Sequence, residues 1–342
     1  MDFIKNILFF IFGLLFITGC MPEDTPVTPF NRGNERIAVA EMGVDYLNQI
    51  YFNLDKDSAV KQNIYTIWDL AFSCDDNHFH IYLNSARFMR AYDFGAVDFS
   101  TINLKKIINL PEESWKHDKP DGTFDSTAIG NWWILKNDSI ISKGHTYVID
   151  RGFDEKKNSG GFIKLSILGF NNNKYIIKFS NPDGSSESTV EIEKKPNRNH
   201  IFFNFNDGGK ILDLEPENTD WDLNFTRFTE LLSDNAGNPM WYLVTTVLIN
   251  TKYVRAGLLS VKKDFSEVTI KDTSFANLSN LRNSIGYDWK GYDFVGTNTY
   301  TVYPEKIYIL QDTKGFYWKL HFIDFFNDKG EKGFPKFEYK KL

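Results

Sequence analysis

A chain of 342 residues in which 42% are hydrophobic and 25% are charged can bury a substantial core, so a disordered protein is excluded. The formal net charge is −6 and no stretch concentrates Lys and Arg on a continuous face, which argues against a nucleic-acid partner. Aromatic residues make up 16% of the chain. Because aromatic side chains favour pleated, half-buried surfaces, this composition indicates a mostly β protein.

The first residues have the pattern of a targeting segment. Lys5 supplies a short positive region, the run from Ile7 to Ile17 is almost wholly apolar, and Thr18-Gly19-Cys20 closes the segment. The apolar run is shorter than the roughly 20 residues that a transmembrane helix needs. Small residues followed by Cys resemble a bacterial lipoprotein signal; the alternative is an ordinary secretory signal. We predict a signal peptide over residues 1–19 and lipidation of Cys20.

The segment after Cys20 is predicted to be a lipidated tether over residues 20–36. It carries Pro22, Pro26 and Pro29, which favour an extended chain. Its acidic residues resemble the export signal of surface lipoproteins in Bacteroidetes-type bacteria. We therefore predict a protein anchored to the outer membrane by lipid and exposed at the cell surface. With Cys20 lipidated, Cys74 is the remaining thiol, and we interpret it as a small buried residue because no activating motif surrounds it.

The first predicted domain covers residues 37–195. Residues from Ile37 to Leu47 have a pattern compatible with a short helix, and β-type runs follow. His78 to Leu83 alternates between polar and apolar residues. Strand periodicity places His78, His80 and Tyr82 on one face and Phe79, Ile81 and Leu83 on the other.

The candidate ligand-binding residues lie in or near this strand. Two imidazoles on one strand face, His78 and His80, could bind a transition metal or a haem iron, and the thioether of Met89 could serve as a soft axial ligand. The alternative is that the histidines lie on a solvated sheet face and that Met89 fills a gap in the core.

The second predicted domain covers residues 196–342, and its boundary lies within the polar segment from Lys194 to Asn199, which contains Pro196. Asn206-Asp207-Gly208-Gly209 predicts a hairpin, since both glycines tolerate a positive φ. Trp241 to Ile249 is a long apolar and β-branched run that predicts a buried strand. In the strand that begins at Phe316, alternation predicts one core face made of Phe316, Trp318, Leu320, Phe322 and Phe326.

The two halves share motifs at a nearly constant separation. Trp68-Asp69-Leu70-Ala71-Phe72 recurs as Trp221-Asp222-Leu223-Asn224-Phe225, and Phe52-Asn53-Leu54-Asp55 recurs as Phe203-Asn204-Phe205-Asn206. A later pair is Lys164 to Phe170 and Lys319 to Phe325. Such a fixed period indicates an internal duplication. We interpret the repeated Trp-Asp as a determinant of the fold, with Trp in the core and Asp bonded to a neighbouring turn.

Sequence motifs for catalysis are absent. The chain has no G-x-S-x-G, no H-E-x-x-H, no phosphate-binding glycine loop and no dinucleotide fingerprint. We therefore predict a protein that is not an enzyme.

The second half resembles the HmuY family of haem-binding outer-membrane lipoproteins. The resemblance is carried by Ile201-Phe202-Phe203-Asn204-Phe205, by the Trp-Asp segment at 221, by Lys319-Leu320-His321-Phe322-Ile323-Asp324-Phe325 and by Phe337-Glu338-Tyr339. It covers nearly all of residues 198–342, and a degenerate copy covers roughly residues 45–193. The fold class that it implies is two consecutive HmuY-like all-β domains with few short helices.

The resemblance also implies a function. Family members bind haem through two axial histidines and pass it to a transporter. One of those histidines follows a Trp ahead of the penultimate hairpin, and the matching segment here, Trp289 to Phe294, contains no His. Neither family ligand is therefore carried over to this chain. His78, His80 and Met89 are the candidates for haem binding, and the alternative is haem held by aromatic stacking without both axial bonds.

The predicted function is a surface lipoprotein that binds haem, or a related small ligand, for nutrient acquisition. An outer-membrane transporter is the expected partner. The alternative is a surface module on the same fold that binds a glycan, a peptide or a receptor, since fold alone does not dictate function.

Overall fold

Antiparallel strands are the main regular structure of the chain that the computed structural model describes, which is residues 33–342 apart from residues 138, 235, 294 and 295. The predicted signal peptide, Cys20 and the tether as far as residue 32 lie outside the described residues. No helix in the described ranges is long and apolar enough to cross a membrane.

The strands, in chain order, are β1 (Arg36–Val39), β2 (Asn48–Asn53), β3 (Ser58–Ile64), β4 (Leu70–Ser73), β5 (Ile81–Leu83), β6 (Arg90–Asp93), β7 (Trp133–Lys136), β8 (Ser139–Ser142), β9 (Thr146–Asp150), β10 (Phe162–Asn171), β11 (Lys174–Ser180), β12 (Ser188–Glu193), β13 (His200–Asn204), β14 (Lys210–Leu212), β15 (Leu223–Ser233), β16 (Pro239–Ile249), β17 (Arg255–Leu258), β18 (Lys290–Tyr292), β19 (Tyr300–Val302), β20 (Tyr308–Gln311), β21 (Tyr317–Phe326) and β22 (Lys332–Lys341).

Helical structure in the described residues is limited to short segments. One α-helix spans Leu104–Ile108. The 3₁₀ segments are Tyr65–Ile67, Ser85–Arg87, Phe99–Thr101, Glu112–Ser114, Phe124–Ser126, Asn206–Gly208, Phe265–Glu267 and Ile270–Phe275. The predicted fold class, mostly β with few short helices, is confirmed.

Two sheets share the first core. One has the order β12-β11-β10-β9-β6 and the other has the order β14-β13-β4-β5. Apolar side chains from both sheets, such as Phe72, Leu165 and Phe203, are fully buried in one cluster. Because β4 to β14 are consecutive in the chain, this core is built from one continuous stretch of sequence.

Two further sheets share the second core. Their orders are β1-β22-β21-β20-β17 and β16-β15-β2-β3. The cluster combines Phe52 with Phe225, Leu320 and Phe337, all of which are buried. Strands β1 to β3, at the start of the described chain, therefore complete a core that otherwise comes from β15 to β22.

The strand pairings show that each core contains strands from both sequence repeats. Strand β2 of the first repeat pairs with β15 of the second, and the equivalent strand β13 pairs with β4 of the first. The domain limits, 37–195 and 196–342, stay a prediction. Strand pairing joins the two ranges in both directions. Each Trp-Asp motif lies where the chain passes from one core to the other.

The two aspartates of these motifs bind equivalent backbone groups. Asp69 Oδ2 accepts a hydrogen bond of 2.9 Å from the backbone N–H of Phe205, and Asp222 Oδ2 accepts one of 2.8 Å from that of Leu54. Asp222 Oδ1 also accepts from the backbone N–H of Thr313, in the turn between β20 and β21. The prediction that this Asp bonds a neighbouring turn is confirmed.

Two local predictions need correction. The segment from Ile37 to Leu47 forms no helix; its first residues form β1, because the β-branched Ile37 and Val39 suit a strand that pairs with β22. In β21, irregular register between Phe322 and Phe326 brings Phe325 into the core, and Phe316 lies outside it at 38% exposure.

Candidate functional site

A cleft with a volume of about 670 Å³ lies between the loop that precedes β5 and the start of β13. Its size falls within the roughly 300 to 1,000 Å³ that is typical of small-molecule sites. Aromatic side chains contribute Tyr82, Phe124 and Trp133 to its walls. The cleft therefore combines apolar surface with the polar residues described next.

Three of the six histidines of the chain line this cleft: His78, His80 and His200. The rings of His78 and His80 both stack on Phe124, with centroid separations of 3.7 Å and 4.6 Å. Only Ile81 to Leu83 form the strand, so the two histidines lie in the loop before it. The predicted alternation is nevertheless kept, since Phe79, Ile81 and Leu83 pack on the first core.

His80 is buried, which contradicts its interpretation as a residue on a solvated face. Only 4% of it is exposed, and its Nε2 lies 3.0 Å from Asn131 Oδ1. Because a carboxamide oxygen only accepts, Nε2 carries the proton and Nδ1 keeps its lone pair. Nδ1 has no hydrogen-bond partner among the described residues.

Burial lowers the pKa of His80 to about 4, against the opposing effect of the Asn131 hydrogen bond. The nearby imidazole of His78 lowers that pKa further. His80 is consequently neutral at neutral pH, which is the form of imidazole that binds a metal.

His200 is a cleft residue that the sequence did not identify. Its Nδ1 lies 3.1 Å from Oε2 of Glu215, a carboxylate that is 2% exposed. A carboxylate behind an imidazole fixes the ring orientation and raises the basicity of the other nitrogen, as it does for metal-binding histidines. The pairing of His200 with Ser73 brings this residue next to the loop of His78 and His80. No sequence spacing reveals that contact, because it joins residues of different repeats.

Met89 lies away from the cleft. It is fully buried in the first core, and its backbone carbonyl accepts a hydrogen bond of 3.0 Å from His117 Nδ1. The structure thus brings His78 and His80 together and places Met89 elsewhere.

Charged groups of both signs line the cleft. Arg198 and Lys252 are the cations, and Asp75, Asp121 and Asp125 are the carboxylates. Arg198 pairs with Asp213 at 3.4 Å, but its buried Nε has no partner in the described part of the chain.

Two other sequence interpretations concern metals and thiols. The described residues contain no group of three or more His, Cys, Asp or Glu that could hold a metal ion by itself. Cys74 is buried as predicted, and burial raises the pKa of its thiol to about 11.

Comparisons with known proteins match one family model to the second half of the chain. The model of the HmuY protein family matches residues 196–339. A comparison with curated proteins gives no match.

Similar solved structures have low sequence identity to the chain. The Tannerella forsythia apo HmuY analog is 16% identical, with 45% of this chain and 84% of that chain covered and a TM-score of 0.21. Apo PinO from Porphyromonas gingivitis is 12% identical, with 53% and 97% covered and a TM-score of 0.22. A protein described as HmuY-like and heme-binding, from Bacteroides vulgatus, is 16% identical, with 38% and 78% covered and a TM-score of 0.22. The resemblance found in the motifs of the second half is confirmed, and residues 196–339 carry the pattern of the HmuY family.

Proposed function

We propose that the protein binds haem in the cleft, where His80 would hold the iron. The observation that carries this proposal is the neutral, buried imidazole of His80, whose Nδ1 has no hydrogen-bond partner among the described residues. A buried polar atom without a partner is costly to a folded protein unless a ligand or water satisfies it.

The other cleft residues fit the same ligand. Tyr82, Phe124 and Trp133 offer aromatic surface to a porphyrin, and Arg198 and Lys252 offer cations to its propionates. His200, with Glu215 behind it, offers a second imidazole. When bound, haem would supply an iron that accepts an imidazole nitrogen as a ligand.

The proposal extends to where the protein acts. The predicted lipid on Cys20 would hold the cleft at the outer membrane, where captured haem could be passed to a transporter for nutrient acquisition. Several acyl chains on one Cys would anchor the protein stably. Support comes from the targeting pattern of residues 1–20 and from the family pattern of residues 196–339. We accordingly propose a binding role for the chain and no catalytic one.

A haemin titration followed by visible absorption tests the proposal. We expect a saturable shift of the Soret band with the full-length protein. The variant His80→Ala should weaken binding by more than about tenfold, because it removes an axial ligand. His321→Ala is the matched control, since this histidine is hydrogen-bonded to Pro304 and Glu338 outside the cleft.

The remaining candidates are tested in the same way. His78→Ala and His200→Ala should each change the spectrum if they approach the iron. Met89→Leu conserves volume in the core, so an unchanged spectrum in this variant would remove Met89 from the site. Absence of any Soret shift in the parent protein, or an equal shift in His80→Ala, would overturn the proposal.

A second candidate function rests on the charge of the same cleft. Its lining carboxylates outnumber its cations, and Asn131, Asn199 and Asn280 add carboxamide groups. These groups suit a neutral, hydroxyl-rich ligand such as a glycan. A protein that gives no Soret shift but binds glycans, with binding lost in Trp133→Ala, would favour this candidate.

A further inference from the structure

A short segment of chain covers the histidine end of the cleft. This segment is residues 122–126, which we call the lid, and four of its five residues line the cleft. The ring of Phe124, in the lid, stacks on His78 at 3.7 Å and on His80 at 4.6 Å, with an interplanar angle of 23° in both pairs. One side chain of the lid therefore lies against both imidazoles.

The surrounding rings close His80 off from a molecule in the cleft. Phe124 covers the imidazole face-on, and Trp133 packs edge-on against it at 4.8 Å. The residue is 4% exposed, and its Nδ1, the nitrogen that keeps its lone pair, is buried as well. A ligand can therefore reach that nitrogen only after one of the covering side chains moves.

The chain before the lid is anchored by a residue of the second half. Arg282 Nη2 donates to the carbonyl of Lys119 at 3.2 Å, and the backbone N–H of Arg282 donates to the carbonyl of Asp121 at 2.8 Å. The guanidinium itself lies 4.6 Å from the ring of Phe228 and 5.3 Å from that of Tyr82. Residues 119–121 are consequently held from the side opposite the histidines.

The chain after the lid is anchored in the first core. Ala128 and Ile129 are buried there. The backbone N–H of Ala128 donates to Asp118 Oδ1 at 2.7 Å, and the other oxygen of this buried carboxylate accepts from the backbone N–H of Leu83 at 2.6 Å. A movement between the two anchors is thus confined to the lid and its immediate neighbours.

The lid has little polar attachment to the rest of the protein. Its hydrogen bonds lie within residues 119–127, such as those from the backbone N–H and the hydroxyl of Thr123 to Asp121 Oδ1, both 2.9 Å. The exception among the described residues is the Tyr82 hydroxyl, which donates to the carbonyl of Gly122 at a long 3.5 Å. Gly122 has a φ of +73°, so the chain turns there in a conformation that suits glycine. Stacking of Phe124 is therefore the main contact that keeps the lid closed.

We propose that the lid is a gate to His80. It opens when Phe124 leaves the two imidazoles, and a ligand reaches Nδ1 of His80 only in the open form. Because aromatic ring pairs contribute modestly, the closed form is favoured without being locked. The role of the gate in ligand entry rests on the proposed function, whereas its opening is a property of the ligand-free protein.

The first experiment measures the reactivity of each histidine in the full-length, ligand-free protein towards diethyl pyrocarbonate, located by peptide mass spectrometry. This reagent acylates an imidazole nitrogen that carries a lone pair. In the parent, His80 should react measurably but more slowly than His145, whose side chain is 26% exposed. Its rate should change little in low concentrations of urea, because opening of the lid exposes little surface compared with global unfolding.

Phe124→Ala should raise the reaction rate of His80 by about tenfold, because it removes the ring contacts that close the gate. Phe124→Leu, which keeps an apolar side chain without a ring, should give a smaller increase. Phe265→Ala is the matched control, since Phe265 stacks on His321 at 4.0 Å outside the cleft. It removes the same kind of contact and should leave the rate at His80 as in the parent.

The second experiment follows haemin binding by stopped-flow absorption. In the parent, the observed rate should level off at high haemin concentration, where opening of the lid becomes limiting. In Phe124→Ala the rate should keep rising with haemin concentration, since the closed form is no longer favoured. Phe265→Ala should show the same plateau as the parent.

The outcomes separate the gate from the proposed function. An equal rate of His80 modification in the parent and in Phe124→Ala would overturn the gate. So would a parent rate that rises with urea in step with global unfolding, or haemin binding by the parent without a plateau. Absence of haemin binding would overturn the proposed function, whereas the reactivity of His80 would still decide whether the lid opens.

Discussion

At the scale of single residues, the aspartates of the two Trp-Asp motifs have different electrostatic environments. Asp69 is fully buried and bonds Arg87 Nη1 at 2.7 Å and Arg151 Nη2 at 2.8 Å. Asp222 is also buried but accepts only backbone N–H groups in the hydrogen bonds described. Burial accordingly raises the pKa of Asp222 to about 6.

We predict that Asp69→Asn destabilises the protein by about 3 to 5 kcal/mol, because it leaves two largely buried guanidinium groups without their carboxylate. Asp222→Asn is the matched comparison and should cost less, since the hydrogen bonds that it weakens are to neutral groups and the change also removes a buried charge. Chemical denaturation measures both free energies of unfolding. Equal losses in the two variants would contradict the importance of the buried ion cluster.

A pH effect is expected from His117. This residue is buried, and burial lowers its pKa to about 4, while the neighbouring charges of Arg90, Asp150 and Glu112 act more weakly and in opposing directions. Below pH 6.5 the unfolded chain binds a proton at this imidazole that the folded chain does not bind. Stability contributed by neutral His117 is therefore lost as pH falls from 6.5 towards 4, by about 3 kcal/mol in all.

The variant His117→Gln should flatten the loss of stability between pH 6.5 and 4 by about that amount. The measurement is the free energy of unfolding at several pH values, with His145→Gln as the control because that ring is more exposed beside Asp93. A parent-like pH profile in His117→Gln would show that other groups carry the dependence.

At the scale of elements, strand periodicity predicted which side chains share a face of a strand better than it predicted which strands lie next to each other. The alternation from His78 to Leu83 correctly separated core residues from cleft residues. It missed the irregular register in β21, because a bulge shifts side chains by one place without any change in composition. It also gave no sign of His200, whose neighbours come from β4 of the other repeat.

The exchange of strands leads to a reciprocal prediction. Phe52→Ala should lower amide protection mainly in β21 and β22, because its ring packs on Phe337 and Tyr339 at 5.2 and 6.0 Å. Phe203→Ala should lower protection mainly in β10 and β11, where Phe179 lies 5.6 Å away. Each loss of a buried Phe should cost about 3 to 5 kcal/mol.

Native-state hydrogen exchange distinguishes the two variants, and each is the control for the other. If Phe52→Ala loosened β10 and β11, which lie in its own repeat, the strand exchange would be contradicted.

At the scale of the whole molecule, each core depends on the other for its chain path. Strands β1 to β3 precede the first core in sequence and complete the second. Asp69 and Asp222 form hydrogen bonds at the two segments where the chain passes from one core to the other. Unfolding of one core would therefore disturb the connecting segments that lead into the other core.

We predict one cooperative unfolding transition for the full chain. Calorimetric and van't Hoff enthalpies should agree, and near-ultraviolet circular dichroism should follow the same curve as tryptophan fluorescence. Two separate transitions would mean that the cores are independent despite the exchanged strands.

The sequence by itself determined the β class, the duplication, the family pattern of the second half and the shared face of His78 and His80. These properties depend on local alternation and on motifs, which can be recognised within the sequence of a single strand. Only the tertiary structure decided which repeat completes each core, that His200 joins the cleft and that His80 is buried. The reason is physical: the two Trp-Asp strands have nearly the same local sequence, so the pattern does not distinguish their partners, which only the packing of the whole chain decides.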